Sequence, residues 1–581
     1  MSEVLSLSVA VLSVDQEDSS SATFLTLFDV AVRESTDLIV IPFGFPSLNS
    51  KDAHRLFAQL AKSYRVHIIA GWKRRSRPVA RVYSPTGRVL GDRVQAHRLP
   101  EETFSPGRTI EPVSTTLGLI GISIGSDIYF PEMQWSQTQQ GADILVHLGI
   151  NLGVENQFYQ TISPKVRALD CQRPFLLSRA SSRYLKVAHN EELQIPGTPM
   201  SGSIIIDQNG SVLASTGYSQ GVARANLRTY QHCQSKEEQT NIPVNRGLDI
   251  WKLYFNDSRA KYFTPLCHHF PRPHKPKYRK RKVTIAVLNH HYSHQLGKDD
   301  SVLFQLLEEA CSKRPDIVVC TEMEQNCRPD DPQIASKIKR LVDTCKKARC
   351  YLLVGGIRFG EADAVSNRCS HAWLWNRRGK MVFQSRIMLY GRGFGQDVYD
   401  CDFGRIGIRL CGDVYAPELD RLFARKAVDI VFNPSMSWAA SGGINSEIGQ
   451  ARAMDNGFYI VNAHLAFSDP GQRSQVFDPL GNIIAASSYY ANSVLVSHID
   501  LDSPRGIFVH DGKRKVDPGS YLASYRSTAT YRLLSHQELF KRRKPDLYTK
   551  LAEDNADHPF STRNRGDGCI LPRPTSIGLE P

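Results

Sequence analysis

Short apolar runs alternate with amphipathic stretches along the second half of the chain. Residues 284–288 (TIAVL), 316–320 (DIVVC) and 406–410 (IGIRL) are typical of buried β-strands, because they are largely apolar and rich in β-branched residues. Residues 302–311 (VLFQLLEEAC) instead place apolar side chains at helical spacing. Strands that are apolar on both faces need helices on one side and a second sheet on the other. The pattern therefore predicts an α/β layered sandwich.

The same order of motifs occurs a second time nearer the amino terminus. Residues 125–132 (GSDIYFPE) resemble residues 411–418 (CGDVYAPE), which lie 286 positions later. Residues 167–170 (RALD) resemble residues 452–455 (RAMD), at an interval of 285. A slowly drifting interval is what loop insertions produce after a duplication. The chain is therefore predicted to contain two copies of one domain.

The predicted organisation has four parts. These are a first domain at 1–230, a linker at 231–282 with a basic, proline-rich segment, a second domain at 283–555, and a flexible tail at 556–581 that is rich in Pro, Gly, Arg and Asn.

Composition and charge narrow the possible functions. The 581 residues are 41% hydrophobic, which excludes global disorder, and carry a formal net charge of +14. Seven Lys or Arg fall within residues 271–282, where three prolines and mutual repulsion favour a solvated linker. Phosphate binding by this segment and by residues 541–544 is the alternative, and nucleic acid is not an expected partner.

Targeting signals are not evident in the sequence. No apolar run approaches the roughly 18 residues that cross a bilayer, and residues 1–4 (MSEV) lack the basic start of a secretory signal peptide. We therefore expect a cytoplasmic protein with no membrane partner.

Among the twelve cysteines, Cys411 has a distinctive setting. Without a secretory signal, a disulfide framework is not expected, so the thiols are predicted to be free. Cys411 ends an apolar strand and precedes Pro417 and Glu418, which suit the first turn of a helix. A turn of this kind holds a side chain at the sheet edge, where a helix amino terminus favours a thiolate. Cys411 is thus a candidate nucleophile, and a buried strand-end thiol is the alternative.

Two further residues carry suitable chemistry. A thiol that attacks a carbonyl or nitrile carbon needs a base, and a cationic group to hold the negative charge of the tetrahedral intermediate. Glu322 ends an apolar strand and is the candidate base, while Arg386 follows a predicted hairpin and is the candidate cation. The alternatives are a solvated loop carboxylate for Glu322 and a surface or ion-paired side chain for Arg386.

The order and spacing of Glu322, Arg386 and Cys411 resemble the Glu–Lys–Cys triad of the carbon–nitrogen hydrolase (nitrilase) superfamily. The resemblance extends to Asn433-Pro-Ser and to residues 541–548, which are similar to the family's carboxyl-terminal arm. It implies two tandem αββα nitrilase-like sandwich domains that pack as a pseudo-dimer.

The same resemblance implies a function. We expect a cysteine-dependent amidohydrolase that cleaves a small non-peptide amide, or a nitrile, through a thioester intermediate and without a cofactor. A catalytically impaired scaffold or ligand-binding protein is the alternative. Beyond the internal pairing of domains, further homo-oligomerisation stays open.

The departures from the family pattern differ between the copies. In the first copy the three positions hold Phe43, Gln95 and Gly125, so this copy is predicted to be catalytically inactive. In the second copy Arg386 takes the place of the family lysine, and a guanidinium differs from an ammonium in size, planarity and its inability to release a proton. Reduced or altered activity is therefore also expected.

Other patterns carry no established motif. Residues 267–274 offer Cys and His donors without a standard zinc spacing, and the histidines of residues 290–294 follow a strand and are interpreted as a loop. The glycines of residues 391–395 have the wrong spacing for a phosphate-binding loop. No metal site is expected.

Overall fold

The computed structural model of the chain describes residues 5–15, 20–33, 35–46, 48–100, 102–149, 157–181, 202–217, 219–229, 269, 276–290, 300–322, 331–359, 369–386, 398–435, 445–465, 473–488, 491–503, 505–510 and 531–552. The chain divides into two compact units. The first consists mainly of Met1–Ile242 and Gly506–Glu553, and the second mainly of Phe270–Arg505. No described helix combines the length and apolar character that a membrane-spanning helix requires.

The described strands of the first unit before residue 230 are β1 Leu5–Asp15, β2 Leu38–Val40, β3 His67–Arg74, β4 Arg77–Tyr83, β5 Val89–Val94, β6 Val113–Thr115, β7 Gly118–Ile124, β8 Ile144–Gly149, β9 Phe175–Ser181, β10 Ile204–Ile206, β11 Val212–Ser215 and β12 Gly221–Thr229. The α-helices between them are α1 Ser21–Val32, α2 Ser50–Tyr64, α3 Pro131–Gln139 and α4 Gln157–Cys171.

The strands of the first unit form two halves of one continuous sheet. One half runs β5-β4-β3-β2-β1-β12 and the other β6-β7-β8-β9-β10-β11, and the two halves join where β1 pairs with β9 at Ser13 and Arg179. Apolar side chains of both halves face each other in one core cluster. A second cluster buries the apolar faces of α1 and α2 against the outer side of the first half. The unit is therefore layered, with sheet packed on sheet and helices outside.

The second unit contains the strands β13 Lys282–Asn289, β14 Ile317–Glu322, β15 Tyr351–Phe359, β16 Cys369–Trp375, β17 Met381–Arg386, β18 Val398–Asp400, β19 Arg405–Ile408, β20 Ile430–Ser435, β21 Tyr459–His464, β22 Gln475–Phe477, β23 Ile483–Ala486 and β24 Ser493–Asp500. Its α-helices are α5 Ser301–Ser312, α6 Pro332–Ala348, α7 Pro417–Arg425 and α8 Asn445–Asn456.

These strands form two six-stranded sheets in the same orders as the halves of the first unit. One sheet runs β17-β16-β15-β14-β13-β24 and the other β18-β19-β20-β21-β22-β23. Their inner faces share one core cluster, and α5 and α6 cover the outer face of the first sheet. Helix α8 packs on β21 and β22 of the second sheet. The predicted α/β class and the αββα layering are confirmed for this unit, whereas the tandem duplication and the pseudo-dimer packing stay predictions.

The carboxyl-terminal segment belongs to the first unit in the structure. It contains β25 Gly506–His510, β26 Tyr531–Ser535 and α9 His536–Phe540, followed by a 3₁₀ helix at Pro545–Ala552 that packs on α3. Arg543 Nε donates to Glu132 Oε1 at 2.6 Å, and both side chains are fully buried. The sequence placed this segment in the second domain at 283–555. It contains no signal for this placement, because the partner helix lies about 400 residues earlier in the chain.

The end of the predicted solvated linker is bound to the second unit. Lys280 Nζ donates to Asp316 Oδ2 at 2.8 Å, and Arg281 contacts both Asp429 and Asp502. Asp316 and Asp429 are buried, so each carboxylate gains a cation from this stretch. The last residues before β13 are therefore not part of the solvated linker that the sequence predicted. The same contacts use cationic groups that the alternative interpretation assigned to phosphate binding.

The buried pair between Arg543 and Glu132 gives a stability prediction. Replacing Arg543 with Met leaves a buried carboxylate without this cation, so we expect the free energy of unfolding to fall by about 3–5 kcal/mol. Lys541→Met, at an exposed position of the same segment, is the matched control and should change stability little. Denaturant titration followed by circular dichroism measures both. Equal stabilities of the two variants would contradict the packing of this segment.

Candidate active site

Cys411 lies at a sharp turn between β19 and α7. The strand ends at Ile408, a 3₁₀ turn spans Cys411–Tyr415, and Pro417 opens the helix. Asp413 is fully buried, and its Oδ2 accepts a hydrogen bond from the backbone N–H of Leu410 at 3.1 Å. The turn forces Cys411 to a φ of 44°, in the left-handed region. Its half-buried side chain packs against the core between the two sheets.

Glu322 ends β14 and is nearly enclosed. Its side chain is only 3% exposed, and its Oε1 accepts a hydrogen bond from Ser370 Oγ at 3.1 Å. Ser370 belongs to β16, which lies two strands away in the same sheet. The alternative of a solvated loop carboxylate is therefore excluded for Glu322. Sequence reasoning missed Ser370, because nothing local distinguishes a serine 48 residues away as a partner of this glutamate.

A glycine links the positions of Glu322 and Cys411. Gly355 pairs with Glu322 across the parallel strands β14 and β15. A methyl group at Gly355 would lie 3.2 Å from Leu410 Cδ2 and 2.5 Å from Pro434 Cβ, so β15 approaches the second sheet closely here. Leu410 is the residue before Cys411. The structure therefore brings the end of β14 and the cysteine turn to the same edge of the sandwich.

Arg386 is the last residue of β17, where its backbone pairs with His371 of β16. Its side chain lies outside the described part of the structure. The predicted hairpin is confirmed, since β16 and β17 are antiparallel and joined by a turn at Gly379 with φ 76°. The role of Arg386 as the cation stays a prediction.

A comparison of this hairpin with its counterpart in the first unit shows which residues occupy equivalent positions. In the first unit the matching turn glycine is Gly87, with φ 79°, and the strand residue that occupies the place of Arg386 is Val94. The sequence comparison set Arg386 against Gln95, which is one residue further along. Counted from the two glycines, Gln95 instead matches Ile387, which the structure does not describe. Neighbouring residues of a strand point to opposite faces, so this difference bears directly on the cation.

The first unit has a neutral, hydrogen-bonded arrangement at the corresponding place. Gln95 is fully buried, and its Nε2 donates to Glu102 Oε1 at 3.0 Å. Ser126, the residue after Gly125, donates from Oγ to Glu102 Oε2 at 2.8 Å. Burial raises the pKa of Glu102 above its usual range. These contacts join the positions of the cation and the nucleophile without supplying either group.

The aromatic ring of Phe43 lies at the position in the first unit that matches Glu322. A methyl group at Gly71, the counterpart of Gly355, would lie 2.6 Å from Phe43 Cδ2 and 2.9 Å from Leu148 Cδ1. Phe43 packs against the core between the sheet halves of its unit. An apolar ring therefore fills the space that the second unit gives to a carboxylate.

A buried charge cluster lies behind the cysteine turn. Arg409 donates from Nη1 to Asp420, and Arg452 Nε lies 3.6 Å from the same carboxylate oxygen. All three side chains are at most 1% exposed. His464, at the end of β21, is also buried, and burial together with the charge of Arg409 lowers its pKa to about 4. Burial, with a smaller effect from the charge of Arg409, keeps this imidazole neutral at physiological pH.

Residues 305–506 match the family model described as carbon-nitrogen hydrolase, and this range holds Glu322, Arg386 and Cys411. The stretch of chain that holds these three residues is a member of the carbon–nitrogen hydrolase superfamily. This confirms the family that the sequence motifs indicated.

Known amidases and a solved hydrolase structure are similar to part of the chain. An omega-amidase of Mus musculus is 26% identical over 197 residues, which is 29% of this chain and 70% of that protein. A deaminated glutathione amidase of Synechocystis is 27% identical over 113 residues, which is 18% of this chain and 42% of that protein. A solved carbon–nitrogen hydrolase of Helicobacter pylori G27 covers 45% of this chain and 99% of its own, at 19% identity and a TM-score of 0.36.

The left-handed backbone of the cysteine turn gives a prediction that tests strain. A side chain at this φ costs about 1–2 kcal/mol relative to glycine, so Cys411→Gly is expected to unfold at higher denaturant concentration than Cys411→Ala. The first unit supplies the matched control, because Gly125 has φ 51° at the same position. Gly125→Ala should destabilise by a similar amount. Identical midpoints for Cys411→Gly and Cys411→Ala would contradict the strain.

His464 gives a prediction for the pH dependence of stability. Its folded pKa of about 4 lies below the usual 6.5, so the stability it contributes is complete above pH 6.5 and is lost as the pH falls towards 4. His464→Asn removes this linkage. The stability advantage of the wild type over the variant should shrink by about 2–3 kcal/mol between pH 7 and pH 4.5.

Denaturant midpoints at the two pH values measure this change. The exposed His498, replaced with Asn, serves as the control for loss of an imidazole that is not buried. A constant difference between wild type and His464→Asn across the pH range would show that His464 titrates normally.

Proposed function

We propose that the second unit is a cysteine-dependent amidohydrolase that cleaves a small non-peptide amide. Glu322 takes the proton of the Cys411 thiol, and the thiolate attacks the carbonyl carbon of the amide. A cation and a backbone N–H hold the negative oxygen of the tetrahedral intermediate. The carbon–nitrogen bond then breaks, Glu322 returns the proton to the departing ammonia or amine, and a thioester remains on Cys411.

Water completes the proposed cycle. Glu322 removes a proton from a water molecule, which attacks the thioester carbon. The carbon–sulfur bond breaks, the carboxylic acid leaves, and the Cys411 sulfur regains a proton from Glu322. Each step uses one base near one sulfur, so the enclosed position of Glu322 at the edge where Cys411 lies supports the assignment.

The single observation that carries the proposal is the strained cysteine. Cys411 has a left-handed φ of 44°, whereas the first unit places glycine at the equivalent turn with φ 51°. Strain of this kind is concentrated at functional sites, where a side chain must be held in a fixed position. A cysteine retained there is therefore favoured as a nucleophile over a buried packing thiol. The relatives named amidases favour an amide over a nitrile substrate.

The first unit is proposed to be a catalytically inactive copy of the same domain. Phe43, Gln95 and Gly125 provide no base, cation or nucleophile, and Gln95 is committed to the carboxylate of Glu102. The repeated strand order and the repeated turn support a duplication. In this proposal the first unit supports the second structurally, as one subunit of a homodimer supports its partner.

A second candidate function follows from the hairpin register. Arg386 occupies the same hairpin position as Val94 of the first unit. If a side chain at this position points away from the site, Arg386 does not reach the oxyanion. The unit is then an impaired hydrolase or a ligand-binding scaffold. Loss of one oxyanion donor costs about 2.7–4 kcal/mol of transition-state stabilisation. The two candidates therefore differ in turnover by about two to three orders of magnitude.

The amidase proposal is tested by ammonia release from a panel of small primary amides, with acyl-enzyme trapped on Cys411 and identified by mass spectrometry. Cys411→Ala is expected to abolish turnover and trapping, and Glu322→Gln to lower kcat by about 100-fold or more. Ser370→Ala, which removes one hydrogen bond from Glu322, should have a smaller effect. Turnover that survives in Cys411→Ala would refute the mechanism.

Two lysine variants separate the candidate functions. Arg386→Lys tests the position chosen from sequence, and Ile387→Lys tests the position chosen from the hairpin register. Loss of turnover in Arg386→Lys would identify Arg386 as the working cation. A gain only in Ile387→Lys would identify the natural chain as an impaired hydrolase, and no acyl-enzyme in any variant would favour the scaffold.

A further inference from the structure

Three cysteine side chains meet in the layer formed by α5, α6 and the sheet that they cover. Cys311 lies near the end of α5, Cys345 in the last turn of α6, and Cys350 just before β15. Their three sulfur atoms all lie within 4.8 Å of one another. Cys345 and Cys350 are buried, and Cys311 is half-buried. We refer to these three residues as the thiol cluster.

The helix end of α6 holds two of these thiols together. Arg349 adopts a left-handed φ of 55°, and the backbone N–H of Cys350 donates to the carbonyl of Cys345 at 3.1 Å. The N–H of Arg349 donates to the carbonyl of Lys346. This pair of bonds is a Schellman motif, which brings the residue after the left-handed position back onto the final helical turn. The backbone therefore fixes the spacing of Cys345 and Cys350, and α5 packs against α6 to add Cys311.

The first unit shows that this packing does not require sulfur. Helix α2 ends in a similar left-handed turn, with Arg65 at φ 54° and the backbone N–H of Val66 donating to the carbonyl of Ala61 at 3.2 Å. The counterparts of Cys345 and Cys350 are thus Ala61 and Val66, both buried.

The counterpart of Cys311 in the first unit is Val32. Each of these residues stands five positions before an aspartate, Asp316 or Asp37, whose carboxylate binds the backbone of the first strand in its unit. Val32 packs on the same apolar cluster as Ala61 and Val66. One unit therefore fills these three places with ordinary aliphatic side chains, while the other places a thiol at all three.

The spacing of the thiol cluster suits a metal ion with affinity for sulfur. Zinc–sulfur bonds of about 2.3 Å place the sulfur atoms of a tetrahedral site about 3.8 Å apart. The observed sulfurs need to move by only about 1 Å to reach this geometry, and side-chain rotation provides such movement. Among the described residues, no histidine or carboxylate joins the three sulfurs. Cys311 is only partly buried, so water is the candidate for a fourth ligand.

We propose that Cys311, Cys345 and Cys350 form a binding site for a single thiophilic d¹⁰ cation, Zn²⁺ in the first instance. Three thiolates bind the ion from α5, the end of α6 and the start of β15, and each thiol releases its proton to solvent on binding. The ion cross-links two helices to a strand. The cluster belongs to the layer outside the first sheet, whereas Cys411 packs against the core between the sheets, so the proposal does not rest on the amidase mechanism.

The test uses the reduced, metal-free full chain titrated with Zn²⁺ in competition with a chromophoric chelator. The wild type is expected to bind one ion and to gain thermal stability from it. The triple variant Cys311→Val, Cys345→Ala, Cys350→Val installs the residues of the first unit. Loss of a contact that only supports a metal ligand lowers metal affinity by up to about 100-fold, so loss of the ligands themselves should lower the Zn²⁺ affinity by more than this. Co²⁺ should give thiolate charge-transfer absorption in the wild type and none in the triple variant.

A matched control addresses loss of an unrelated thiol. Cys320→Val changes a buried cysteine of the same apolar layer whose sulfur is not part of the cluster, and it should bind Zn²⁺ as the wild type does. Circular dichroism of the metal-free proteins establishes that the triple variant folds.

The outcomes decide the proposal and the identity of the ion. Equal Zn²⁺ affinity of wild type and folded triple variant, together with equal affinity for Cu⁺ against a Cu⁺ chelator, would overturn the site. Cu⁺ binding that depends on all three cysteines, without Zn²⁺ binding, would support the site and assign it to copper. A single variant, such as Cys311→Val, that retains wild-type affinity would overturn the three-sulfur geometry.

Discussion

The left-handed turn that follows β19 is the constraint on which the candidate site depends. In both units a buried aspartate accepts a hydrogen bond from the backbone N–H just before the turn. Ile124 donates to Asp127 in the first unit, and Leu410 donates to Asp413 in the second. This bond holds the next residue at positive φ whether it is glycine or cysteine. In the second unit the backbone therefore pays a conformational cost to hold a sulfur at the edge of the sandwich. The proposed role of Glu322 as a base depends on its position relative to that sulfur.

The two units are variations on one set of contacts. Where the second unit has a carboxylate at the end of its second strand, the first has the ring of Phe43, and where the second has a cysteine at the turn, the first has glycine. Each change replaces a polar or strained group with one that packs more easily. The thiol cluster shows the opposite trend, because there the second unit has sulfur where aliphatic side chains suffice in the first.

The sequence predicted the α/β layering, the helix α5, the β16–β17 hairpin, the strand that ends at Glu322 and the turn at Cys411. These features depend on local periodicity and on turns between neighbouring elements, which a short stretch of sequence encodes. It did not predict the binding of Arg281 to Asp429, the placement of β25 and β26 with the first unit, or the contact between Ser370 and Glu322. Those contacts join residues that are far apart in the chain.

The family, the order of the elements and the chemical groups of each unit could be predicted before folding was considered, because residue identity and periodicity are properties of the chain alone. The register of Arg386, the close approach at Gly355 and the meeting of three cysteines instead depend on how the strands and helices pack. A shift of one residue in strand pairing turns a side chain to the opposite face of the sheet. Over a short strand, the hydrophobic pattern of the sequence differs little between the two pairings. Such a shift is fixed by which strands and helices pack together.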